Sequence, residues 1–142
     1  MPYSYVDHVS DVCIRAEGKS LAGAMEAGVE AMLNVMFGLE AIGETVSVAI
    51  NAEAREPELL FVEVLNEVVS QQGLGELALR RIETHGIKEE NGRLIYSGTA
   101  YGERFDRARH AVRTEVKGAT YSALTYNKGE GGTHVLTCVL DV

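Results

Sequence analysis

The sequence lacks most of the devices that would send a chain across a membrane or divide it into parts. Its two cysteines, Cys13 and Cys138, are too few for a disulfide framework and show no C-x-x-C spacing. Both sit in strand-like apolar runs, Val12-Cys13-Ile14 and Thr137-Cys138-Val139, the setting of buried, reduced thiols. No window offers the about 20 uninterrupted apolar residues that a membrane span needs. Met1-Pro2-Tyr3-Ser4-Tyr5 carries neither a basic flank nor an apolar run, so no signal peptide is expected and the cytoplasm is the expected location. Basic residues are also in deficit, 13 against 21 acidic, for a net charge of −8. Such a field repels phosphate backbones and argues against strong independent RNA or DNA binding. It suits a solvated surface, a cation or a basic protein partner. Several enzyme signatures are missing too: G-x-x-x-x-G-K-[ST], G-x-G-x-x-G after a strand, H-E-x-x-H and G-x-S-x-G.

What remains reads as one domain spanning residues 1–142, 46% hydrophobic and without a proline-rich or low-complexity linker. A chain of this length buries about 70% of its unfolded surface. Leu21, Met25, Val29, Met32 and Met36 recur at helical spacing between a capping Ser20 and Gly38. A second helix begins at Glu56-Pro57-Glu58, carries Leu59, Leu60, Val64, Leu65, Val68 and Val69 on one stripe, and ends at Gly73. Strands are predicted over 12–16, 45–52, 77–88, 93–101, 119–126 and 134–141. Asn91-Gly92 marks a two-residue hairpin turn, and Gly129-Glu130-Gly131-Gly132 a turn between the last two strands. The expected fold is α+β, two main helices packed on a mostly antiparallel sheet of about six strands.

Three clusters carry candidate chemistry. Asp7-His8-Val9-Ser10-Asp11 can ligate a cation, hard ions preferring oxygen donors, or can cap turns. Arg104-Phe105-Asp106-Arg107-Ala108-Arg109-His110, continuing to Arg113-Thr114-Glu115-Val116-Lys117, is locally basic. It reads as a solvated loop, or as a place to meet a nucleotide or an acidic partner. At Leu140-Asp141-Val142 a strand reaching the last residue brings the Asp141 side chain and the main-chain carboxylate close together. Two neighbouring anions call for a cation or a basic group between them, unless the end is frayed and solvated. His85 and His134 have no partner at ligand spacing and read as surface or strand histidines.

Taken in order, Tyr5-Val6-Asp7-His8-x-x-Asp11, Phe105-Asp106-x-x-x-His110, Thr114-Glu115-Val116-Lys117-x-x-Thr120-Tyr121 and the terminal hydrophobic-Asp141-hydrophobic resemble the archease family. Leu59-Leu60 to Leu65-Asn66-Glu67 resembles the family's second helix, so the likeness spans essentially the whole chain. The resemblance implies an accessory protein, with no catalysis of its own, that activates a GTP-dependent tRNA-splicing RNA ligase. The implied action is to promote guanylylation of the ligase's active-site histidine and repeated turnover. It also implies a divalent metal ion, calcium in family structures, held by Asp11, Asp141 and the carboxylate of Val142. Lys117 would help position ligase or nucleotide groups, and Asp7, His8, His110 and Glu115 would stand in supporting positions. Two alternatives stay open: a chaperone or specificity modulator of a tRNA methyltransferase, and a metal-dependent nucleotide or phosphoester enzyme using His110 or Lys117 as acid or base. The sequence departs from the family pattern at Ser122, where a histidine is common, at Arg107, where proline often stands, and at Ser70-Gln71-Gln72, where an acid-rich run is usual.

Overall fold

The computed structural model describes residues 2–6 and 11–142. In chain order the elements are β1 (Tyr3–Val6), β2 (Val12–Gly18), α1 (Leu21–Met36), β3 (Val46–Ala54), α2 (Pro57–Leu74), β4 (Leu77–Glu90), β5 (Arg93–Arg104), β6 (Gly118–Ala119), β7 (Thr125–Lys128) and β8 (His134–Asp141). The fold is α+β as expected, but the strands form two antiparallel sheets with eight strands among the described residues, rather than about six in one sheet. One sheet runs β1-β2-β8-β6, with β7 also on β8; the other runs β3-β5-β4.

Two features account for the extra strands. β1 lies at a sheet edge with three of its four residues exposed, so it carries no hydrophobic alternation for a pattern to detect. The strand expected over 119–126 is broken into β6 and β7. Ala119 pairs with Leu140 and Thr125 with Thr137, so residues 120–124 on one side span only 138–139 on the other. Thr120 opens this excursion. Its N–H and its hydroxyl both donate to the Val139 carbonyl at 2.9 Å, while its Oγ1 accepts from Ser122 N at 3.2 Å. The chain leaves the ladder over this stretch, and Tyr121 is 63% exposed.

The long hairpin of β4 and β5 turns at Asn91-Gly92, with φ of 53° and 75°, as this turn type requires. β3 alternates in burial along its length, with Ile50 fully buried, because only one face meets the core.

Both helices pack their apolar faces into one continuous core with Ile14, Met25, Met32, Leu33, Leu65 and Leu136 fully buried. Ser20 caps α1, its Oγ accepting from Gly23 N at 3.0 Å. α1 ends at Met36 with Gly38 just past it, as expected, but the cap is of another kind. Gly38 does not adopt a left-handed stop; Phe37 turns into extended backbone and bridges to Val112. The last helix carbonyls are capped from a distance: Val35 O accepts from Thr114 N at 3.1 Å, Met36 O from Arg113 N at 2.8 Å, and Asn34 O from the Arg113 guanidinium at 3.1 Å. α2 continues past Gly73 to Leu74, where Gly75 N donates to Gln71 O.

Candidate functional site

β8 is paired on both edges, and its last residues carry the candidate site. On one edge the final rung of the β2 pairing is Val12–Leu140. Asp11 and Asp141 therefore stand one residue past the same rung, on adjoining chains. On the other edge Asp141 pairs with Gly118, and Lys117 N donates to the Asp141 carbonyl at 2.8 Å. The register thus brings Asp11, Lys117, Asp141 and Val142 to one end of the sheet. Asp141 and Lys117 are exposed, Asp11 and Val142 half-buried. Val142 packs its side chain against the core. The terminus is held in place, not frayed.

β6 is only two residues long, too short to hold itself in place. It is secured by Asn66 of α2, whose Nδ2 donates to Ala119 O at 3.3 Å while its Oδ1 accepts from Ala119 N at 2.8 Å. A side-chain amide here takes the part of a neighbouring strand. The approach is so close that a Cβ on Gly118 would fall 2.9 Å from the Asn66 oxygen. Asn66 and Gly118 are the supporting residues that sequence reasoning missed. The signal available was an asparagine within the polar border of the apolar stripe of α2, and it carried no hint of its partner.

The other sequence candidates lie elsewhere. Asp7 and His8 fall outside the described residues. Glu115 is exposed and lines a groove beside Val116 and Phe37. His110 is buried and committed on both ring nitrogens. Nδ1 accepts from Asp106 N at 2.9 Å, which leaves the proton on Nε2 to donate to Glu103 Oε1 at 2.7 Å. That hydrogen bond, with others from Gly43 N–H and the charge of Arg109, holds the Glu103 carboxyl below its ordinary value. His110 therefore pins the loop after β5. Of the histidines read as ordinary, His85 bonds Thr99 and His134 stacks on Tyr126 and bonds its hydroxyl. Cys13 and Cys138 are free and buried.

Among the described residues no three His, Cys, Asp or Glu side chains are placed to hold a metal ion. The side-chain carboxylates at this end are those of Asp11 and Asp141, oxygen donors of the kind that suits a hard divalent cation.

The sequence pattern of the archease protein family matches residues 3–142. This chain belongs to the archease family. It is 30% identical to the protein archease of Methanosarcina barkeri over 130 residues, 92% of this chain and 89% of that one. With the protein archease of Pyrococcus furiosus it shares 28% identity over 99% of this chain and 98% of that one. An archease-like protein of Drosophila melanogaster is 33% identical over 87% of this chain and 79% of that one. The solution structure of protein 1598 of Methanobacterium thermoautotrophicum superposes with a TM-score of 0.84 at 22% identity, covering 99% of both chains. The archease fold therefore accounts for the whole described chain. Among the described residues no helix is long and apolar enough to cross a membrane.

Proposed function

We propose that this archease-family chain is an accessory protein that activates a GTP-dependent tRNA-splicing RNA ligase by promoting guanylylation of the ligase's active-site histidine. The observation that carries the reading is the double pairing of β8. It gathers at one end of the sheet the four residues that the family resemblance singles out, Asp11, Lys117, Asp141 and Val142. A site built on the edge of a fold suits chemistry carried out on another protein's surface.

Asp11, Asp141 and the Val142 carboxylate would hold a divalent cation, calcium by family resemblance. When bound, that ion would neutralise the mutual repulsion of three anions and fix the terminus as a rigid projection. Lys117 places a cation on the neighbouring strand, suited to orienting a phosphate or carboxylate of the partner.

The test is guanylylation of the matching ligase with GTP, with and without this chain. Wild-type protein should raise the rate and extend turnover, and Asp11→Ala, Lys117→Ala and Asp141→Ala should each lose most of that gain. An unchanged ligase rate in the presence of folded wild-type protein overturns the reading. A tRNA methyltransferase altered in specificity under the same conditions would replace it.

A further inference from the structure

The loop after β5 divides two surface hollows. On one side is a groove of about 640 Å³ between the ends of α1 and α2, with a mainly aliphatic and aromatic wall that includes Met36, Val69, Leu77 and Val112. On the other is a hollow of about 780 Å³ lined by Arg104, Arg107 and Arg109 together with Glu103 and Asp106. Phe105 and Arg107 line both, so the two hollows adjoin across this loop.

Each half carries chemistry that the fold leaves unused. Phe105 is 37% exposed, Val112 57% and neighbouring Leu74 80%, a concentration of exposed apolar side chains that folding alone does not favour. Arg109 is paired with Glu103, but Arg104 and Arg107 have no ion-pair partner among the described residues. Neighbouring guanidiniums in a chain of net charge −8 are best satisfied by an anion from outside.

We propose that the groove and the arginine-lined hollow form one docking channel for a segment of another protein, apolar side chains followed by carboxylates. The groove sets Glu76 and Glu115 against Arg107 alone, whereas the hollow sets Glu103, paired with Arg109, and Asp106 against three arginines, and this difference orients the segment with its carboxylates toward Arg104 and Arg107. The wall favours a peptide over a nucleotide. Gln72, its buried polar side chain, is tied to the protein: Nε2 donates to the Met36 sulfur at 3.1 Å and Oε1 accepts from Leu79 N at 2.8 Å.

Fluorescence anisotropy tests this independently of the ligase reading. The probes are short labelled peptides with a leucine-rich half joined to an aspartate-rich, glutamine-rich or lysine-rich half. Guanosine monophosphate and a uridine oligonucleotide serve as competitors. The aspartate peptide should bind the full chain, and the other two at least about tenfold more weakly. Arg107→Glu and Val112→Asp should each weaken the aspartate peptide by about tenfold. Arg107 is exposed with no bond to lose, so its variant keeps the test valid if Val112→Asp unfolds. Binding that is absent, indifferent to peptide charge or unchanged in Arg107→Glu overturns the proposal. So does displacement by the oligonucleotide, which assigns the channel to nucleic acid, or self-association abolished by Val112→Asp, which assigns it to a second copy.

Discussion

The side-chain amide of Asn66 grips both backbone polar groups of Ala119, donating to its carbonyl and accepting from its N–H. Helix α2 thereby holds the strand that directly follows Lys117 and pairs with Asp141. Asn66→Ala should lower stability by about 1–3 kcal/mol, since two partly buried backbone groups lose their partner. Hydrogen exchange should quicken at Ala119 and Gly118 more than in α2 itself. Unchanged protection at Ala119 would remove Asn66 from this role.

Calcium binding tests the use of the chain terminus. One glycine added after Val142 should weaken binding by about tenfold or more, whereas an N-terminal tag should leave it unchanged. Asp11→Asn and Asp141→Asn should weaken it similarly. Binding should fade in acid, because the charged carboxylates are the ligands. Titration calorimetry reads all of these, and equal affinity for the two tagged forms would exclude the terminal carboxylate.

The Glu103–His110 pair predicts a pH-dependent stability. The Glu103 carboxyl lies below its ordinary value of 4.5 in the folded chain, chiefly through the His110 hydrogen bond. The unfolded state therefore binds a proton first as pH falls. The contribution is complete above 4.5 and is lost as pH drops from there through the folded value. Glu103→Gln should be less stable than wild type at neutral pH, and the gap should close in acid. Urea unfolding across that range checks the sign.

The two thiols should be silent in the native state. Burial pushes Cys138 up to about 12 and raises Cys13 as well, so neither presents a thiolate at neutral pH. Dithiobis-nitrobenzoate should react with neither until guanidinium is added, and then with both. Rapid reaction of Cys138 in folded protein would contradict its burial.

Much of this molecule could be read from local pattern. Ser20, Pro57, the apolar stripes of both helices, the alternation of β3 and the Asn91-Gly92 turn each act through neighbours a few residues away, and each stands where the sequence places it. α1 stops at Met36 with Gly38 just past it, as the sequence places it, but how it is capped was not legible: its last carbonyls are satisfied by Arg113 and Thr114, far along the chain, so Gly38 is not needed as a left-handed cap. The expected strand over 119–126 is broken because residues 120–124 span only 138–139 of its partner. Propensity alone does not register such a mismatch between paired strands.

By itself, the sequence determined the α+β class, the helices, the buried thiols and, through four ordered motifs, the archease family. Only the tertiary structure decided which of the named residues meet. Register is a property of paired chains: Val12 against Leu140 and Gly118 against Asp141 bring Asp11 and Lys117 to the last residues of β8. Burial of His110 against Glu103 sends that histidine to a structural task instead. A motif records which side chains are present, but long-range pairing and burial determine which of them share a site.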